Sequence, residues 1–382
     1  MTAETKQGLE GVVAAATRLS SVDGEAGELL LAGFPVEEIA PQATFEEMVH
    51  LLWTGELPAA AELADLKRRL AARRALSGAV IDLLRAAAGR RLPMMDALRM
   101  GAGALSLSTG GEGEPRQDAE TLVAAFPTIV ATYWRLLQGG EPVEPREDLD
   151  HAECYLHLLF GEEPAPERTR GLETYLNTVS DHGFNASTFA ARVIVSTRSD
   201  LVSAVTGAVG ALKGPLHGGA PGPALDMVFE IGSADRAEAV LREKLERGER
   251  LMGFGHRVYR VRDPRADVLG RASERFYEQG GDKGLYELAR MVEATALRLL
   301  RERKPDRRLD TNVEFYTALL LHGLDLPTPL FTPTFAIGRV AGWTAHCLEQ
   351  LATGRLIRPQ SEYVGERGRR WTSLQEREPA PA

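Results

Sequence analysis

Apolar residues recur along most of the chain at three- and four-residue spacing. Leu285, Leu288, Val292, Ala296 and Leu299 keep to one face of a helix, with Glu and Arg filling the other. Val340, Trp343, Cys347 and Leu351 repeat the arrangement near the C-terminal end. Period-two alternation is scarce. Its best instance is the short apolar run Leu29–Leu31 closed by Gly33, which predicts a small N-terminal hairpin. The pattern as a whole predicts a mainly α fold.

Gly and Pro mark the breaks between helices, at QGGEPVEP from Gln138, at GEEPAP from Gly161 and at Gly214-Pro215. Within Ser203–Gly214 small residues recur so often that two helix backbones can approach closely. The closing EREPAPA reads as a disordered tail, and neither an internal repeat nor a low-complexity domain is present.

A length of 382 residues exceeds one ordinary core and predicts two domains. The formal net charge of −9 argues against general attraction to nucleic acid, so an anionic ligand must be held by a local cluster of arginines. Cys154 and Cys347 are far apart and lack CxxC spacing, which predicts two buried free thiols in a reducing cytosol. No stretch approaches the ~20 apolar residues of a membrane span, and the first residues lack a signal-peptide pattern. The expectation is a cytoplasmic protein.

Three histidines sit among glycines or beside proline: His217 in GPLHGGA, His256 in GFGHRVYRVRDPRA and His182 in DHGFNAST. Glycine neighbours permit positive φ or close approach to a ligand, so an imidazole there is presented at a loop tip or helix start. Each alone reads more readily as an exposed turn residue. Together, with Arg257, Arg260, Arg262 and Arg265 beside His256, they point to a site for an anion with a polarisable carbonyl. No HxxxH or HxH spacing joins them, which argues against a metal site.

Arg339 lies on a helical stretch near Ala336 and Val340, where a charge needs an anion or a carboxylate partner. Spacing leaves a bound ligand and a structural salt bridge equally open. Glu314, in TNVEFYT, is flanked by Val313 and Phe315, where desolvation raises a carboxyl pKa towards that of a general base near neutrality. The cations before it, from Arg298 to Arg308, read mostly as a solvated helix face.

In order and spacing, GPLHGGA, GFGHRVYR..DPRA and NVEFYT resemble the three catalytic blocks of the citrate synthase family. The likeness runs from GLEGVVAAATRLSSVDGEAGELLLAGFPVEEIA through FEEMVHLLWTGELP and DHGFNASTFAARVIVST to GRVAGWTAHCLEQ and RLIRPQSEYVG. It implies a mainly α homodimer, with a large domain over 1–217 and 326–382 and a smaller one over 218–325. Closure of the smaller domain would exclude water from the reaction.

Residue by residue, the resemblance implies that His217 holds the acetyl-CoA thioester oxygen, that His256 polarises the oxaloacetate ketone, and that position 314 carries the base. His182, Arg265 and Arg339 match positions that bind the dicarboxylate. Arg358 matches the arginine supplied to the neighbouring subunit's site, and Arg260 matches a contact to the CoA phosphates. The implied reaction ends in thioester hydrolysis and uses coenzyme A as a substrate, with neither metal nor redox cofactor.

The third block departs from the family's usual PNVDFYSG: Thr311, Glu314, Thr317 and Ala318 replace Pro, Asp, Ser and Gly. The added methylene moves the carboxylate by more than the ~1 Å that can cost about a hundredfold in a tightly positioned site. GGAPGPALDMV stands where GGANEAV is usual, and Pro93-Met-Met-Asp where His-Pro-Met-Asp is frequent. Three readings follow: citrate synthesis from acetyl-CoA, 2-methylcitrate synthesis from propionyl-CoA, and a weakly active paralogue that binds CoA esters or dicarboxylates in a regulatory role.

Overall fold

The computed structural model describes residues 7–9, 11–109, 114–217, 222–255, 258–259, 261–279, 282–304 and 309–377. Three short strands come first, β1 (Ser20–Asp23), β2 (Glu28–Leu31) and β3 (Phe34–Pro35). They form an antiparallel sheet in the order β1-β2-β3, with Ser20 opposite Leu31 and Leu31 opposite Phe34. The expected hairpin is thus present and carries a third strand. Leu29 and Leu31 are buried, which fixes its register, since a slip of one residue would expose both.

The rest is helical, in agreement with the three- and four-residue pattern. First come α1 (Val36–Ile39), α2 (Phe45–Thr54), α3 (Ala60–Ala71), α4 (Gly78–Gly89), α5 (Met94–Ala104), α6 (Ser106–Thr109), α7 (Pro115–Leu137), α8 (His151–Phe160), α9 (Pro166–Thr178), α10 (Ala186–Val195) and α11 (Leu201–Leu212). Then follow α12 (Gly222–Ile231), α13 (Ala237–Glu246), α14 (Pro264–Gln279), α15 (Lys283–Arg303), α16 (Val313–Gly323) and α17 (Phe331–Thr353). Helix ends carry the expected signals. Thr44 and Glu47 close a capping box on α2, Asp150 and Glu153 another on α8, and left-handed Gly55 and Gly161 end those two helices.

Helix α17 is deeply buried. Sixteen of its residues are buried, from Phe331 to Gln350, and it packs against α2, α5, α7, α9, α10 and α11. The small-residue stretch forms α11, which lies against α10 and α5 as the composition predicted. Helices α12 to α16 pack largely on one another and meet the rest through α14 and α16 on α9, and through α14 on α1 and β2. Cys154 and Cys347 are free and buried. Among the described residues no helix is long and apolar enough to cross a membrane.

Candidate active site

A cavity of about 560 Å³ lies between the end of α9, the segment before α12, and the first turns of α14, α16 and α17. His182, His217, Arg265, Glu314 and Arg339 all line it, although they are spread over more than 150 positions of sequence. Arg358 is exposed in the extended segment after α17 and is not part of the cavity of its own chain. His256 and Arg260 lie outside the described residues.

Arg339 is brought in by close packing of α17 on the end of α9. Gly342 allows its own N–H to reach the Ser180 carbonyl at 3.1 Å, where a Cβ would collide, and a Cβ at Gly338 would lie 2.8 Å from the Leu176 oxygen. The Arg339 Nε–H donates to Val179 O at 2.6 Å, and the guanidinium lies over the Phe335 ring. Among the described residues no carboxylate forms an ion pair with it, although it is only 1% exposed. Burial lowers its pKa to about 10, against the opposing field of Asp181. A buried cation with no ion-pair partner in the described protein favours the bound-ligand alternative over a structural salt bridge.

His182 follows Asp181 at the end of the same loop. The Asp181 carboxylate, buried and held below the ordinary range by His346, Arg339 and Ser20 in spite of its desolvation, fixes the loop to α17 and to β1. The Gly183 N–H donates to the same Ser20 hydroxyl at 2.8 Å. The His182 Nε2 lies 3.1 Å from the Tyr259 hydroxyl, and Arg265 approaches the ring of that tyrosine. Arg265 itself, in the first turn of α14, donates through Nε and Nη2 to Asp263 at 3.0 and 2.8 Å.

His217 is half-buried and its ring is anchored from α10. The Ser187 backbone N–H points at Nε2 from 3.3 Å and the Ser187 hydroxyl lies 2.7 Å from the same nitrogen. The indole N–H of Trp343 donates to that hydroxyl at 3.0 Å. With a backbone N–H directed at it, Nε2 is the accepting nitrogen, so a neutral ring carries its proton on Nδ1. Burial and the charge of Arg339 lower the His217 pKa to about 4, which keeps the ring a neutral hydrogen-bond donor near pH 7.

Glu314 enters at the first turn of α16, where Asn312 is the N-cap and accepts from the Glu314 N–H at 2.9 Å. Burial raises its pKa, and the positive charges of Arg265 and Arg250 oppose the rise. The carboxyl therefore titrates above its ordinary range, in the sense a general base requires. Two loops hold the entry to α16 in place. Gly255 N–H donates to Asp310 O at 2.7 Å, Asn312 N–H to Gly253 O at 2.9 Å, and Phe254 bridges Thr311. Gly253, at φ +86°, packs against Phe315 where a Cβ would lie 2.9 Å from that side chain.

The cavity thus places a desolvated carboxyl, a neutral imidazole donor and three arginines, Arg250, Arg265 and Arg339, around one space, which suits removal of a proton beside a carbonyl in the presence of an anion. The family model for "Citrate synthase, C-terminal domain" matches residues 8–360. The chain belongs to the citrate synthase family. It is 41% identical to the citrate synthase of Haloferax volcanii over 99% of this chain and all of that protein. It is 40% identical to the 2-methylcitrate synthase of Shewanella oneidensis over 94% of this chain and 95% of that one. The crystal structure of Thermotoga maritima citrate synthase superposes with a TM-score of 0.84 at 38% identity, covering 98% of this chain and all of that one. Citrate synthase from Thermoplasma acidophilum, solved as a ternary complex with carboxymethyl coenzyme A and oxaloacetate, matches with the same TM-score at 31% identity over 98% of this chain.

Membership of the citrate synthase family makes the chain an enzyme that transfers an acyl group by condensation, and the mainly α fold is that of its relatives. Sequence reasoning missed Ser187, Trp343, Tyr259, Asp263 and Arg250. Ser187, Tyr259 and Asp263 lie inside the histidine-bearing stretches DHGFNAST and GFGHRVYRVRDPRA, and Trp343 lies in the same stretch as Arg339, so their positions were marked although their roles were not. Arg250 lies outside every quoted stretch, and the partners that give the others their roles are brought together only by the fold.

Proposed function

We propose that the chain condenses acetyl-CoA with oxaloacetate to citrate and free CoA. The observation that carries this reading is the convergence of Glu314, His217 and the buried Arg339 on one cavity. In it, Glu314 takes a proton from the thioester methyl group while the Nδ1–H of His217 hydrogen-bonds to the thioester oxygen as the enol develops. The enol carbon attacks the oxaloacetate ketone, polarised by His256, while His182, Arg265 and Arg339 hold the two carboxylates. Water then cleaves the citryl thioester, with no change of oxidation state at any step.

Arg260 serves the CoA phosphates and Arg358 reaches the neighbouring site of a homodimer. The exposure of Arg358 and of Leu356, Tyr363, Val364 and Trp371 around it supports a role outside its own subunit. Residues 218–325 form the smaller domain, which closes on 1–217 and 326–382. A second reading, 2-methylcitrate synthesis from propionyl-CoA, is supported by relatives of that name at 40% identity, level with the citrate synthases. One methylene is worth only ~1–3 kcal/mol of discrimination, so both substrates belong in one assay.

Release of CoA thiol is measured with oxaloacetate and either acetyl-CoA or propionyl-CoA. The expected result is a higher kcat/KM with acetyl-CoA, and the reverse order would favour the second reading. Glu314→Gln is expected to lose roughly 10²–10⁴-fold in turnover while still binding oxaloacetate by calorimetry. Full turnover by that variant would remove Glu314 from the chemistry.

A further inference from the structure

Glu293 lies on α15, outside the cavity, and is buried. Its Oε1 accepts from the Thr311 hydroxyl at 2.6 Å and from Arg262 Nη1 at 2.9 Å, and its Oε2 accepts from the Tyr316 hydroxyl at 2.5 Å. Thr311 and Tyr316 stand on either side of Glu314 in sequence, and Arg262 stands just before Asp263 and Arg265. One buried carboxylate therefore joins the strip that carries the base to the strip that carries an anion-binding arginine. Burial alone would raise its pKa, but the two hydroxyls and Arg262 outweigh that effect and hold it below the usual carboxylate range. It stays ionised and keeps accepting from all three donors.

We infer that Glu293 is a positioning residue that sets the Glu314 carboxylate relative to Arg265 and the bound dicarboxylate. Glutamate reaches into the cavity through a longer and more rotatable chain than aspartate, so its placement depends on how firmly the first turn of α16 is held. Thr311 precedes that turn and Tyr316 completes it, and both are tied to the same carboxylate. The backbone pairing of 310–312 with 253–255 holds one edge of the turn, and Glu293 holds the side away from the cavity. A displacement of ~1 Å at a reacting group can cost about a hundredfold in rate. This inference rests on the reading of Glu314 as the base.

The test uses Thr311→Val, which removes one donor at nearly constant shape, alongside Glu293→Gln, in the full-length chain. Thiol-release kcat, the KM for oxaloacetate and the pH profile of kcat are measured with thermal midpoints. For Thr311→Val the expected result is a fall in kcat of about tenfold or more with KM within about twofold. The acid limb is expected to move to higher pH, because a loosened Glu314 drifts from the positive field of Arg265. Unaltered kcat and an unshifted acid limb in Thr311→Val, with only a lower thermal midpoint, would overturn the inference and leave Glu293 a structural group. Retained turnover in Glu314→Gln would instead sink the reading of the base, so the two failures are distinguishable.

Discussion

Glu314 lies in the field of two arginines whose surroundings differ. Arg265 is buried and already engaged by Asp263, whereas Arg250 is exposed at the cavity rim. Both lower a pKa that burial raises. With Glu314 as the proposed base, which works deprotonated, activity is expected to fall as pH drops through its raised pKa. Removing the Arg250 charge takes away part of the opposing effect and raises that pKa further. Arg250→Gln is accordingly expected to move the acid limb of kcat/KM to higher pH at low ionic strength, with the difference shrinking as salt is added, in a thiol-release pH series. At this scale the sequence was informative where a residue type clashed with its neighbours. A carboxylate between Val313 and Phe315, an arginine beside Ala336 and Val340, and histidines among glycines all announce themselves. Ser187 does not, because a serine on a helix gains its meaning only when α10 brings it to His217 and α17 brings Trp343 to it.

Two elements carry consequences of their own. The contact of α17 with the end of α9 depends on Gly338 and Gly342, which let backbone meet backbone beside the loop that bears His182. Gly342→Ala is expected to cost about 1–3 kcal/mol of stability through overpacking, read as a lower thermal midpoint. It should also raise the KM for oxaloacetate, because the Ser180–His182 loop has to move. The second element is the join of α2 to α8, where Glu46 is fully buried and accepts from the His151 N–H at 2.8 Å. Burial, with Asp150 nearby, raises the Glu46 pKa to about 7. A carboxyl with a folded pKa above its unfolded value gives stability that is fully present below about pH 4.5 and lost as pH rises through about 7. Glu46→Gln should therefore gain on the parent chain by roughly 3 kcal/mol between pH 4 and pH 8, measured by denaturant unfolding across that range. Neither feature was visible in the sequence. The periodicity identified the helices and their breaks, but not which glycines sit against a neighbouring backbone or which glutamate on an apolar helix is sealed inside.

For the whole molecule, composition and periodicity predicted a mainly α chain without a membrane helix, and the motifs placed it in its family. The depth of α17 and the pairing of 253–255 with 310–312 required the tertiary fold. The dimer reading has a quantitative test. If Arg358 acts across a two-fold interface, Glu314→Gln and Arg358→Ala subunits are both nearly inactive alone. A hybrid of the two then rebuilds one complete site and one doubly defective site. After denaturation and random reassembly of an equal mixture, half the dimers are hybrids, and activity should return to about a quarter of the parent value. No recovery would place Arg358 in its own subunit's chemistry, and an Arg358→Ala protein that is active alone would place it outside the chemistry altogether. The burial of α17 also bears on how the protein is made. Because this helix follows α2, α5, α7, α9, α10 and α11 in the chain, the faces of those helices that it covers remain bare until α17 itself has been made. The packing of these helices therefore waits on α17, and a nascent chain halted before Phe331 presents those apolar faces to chaperones or to aggregation.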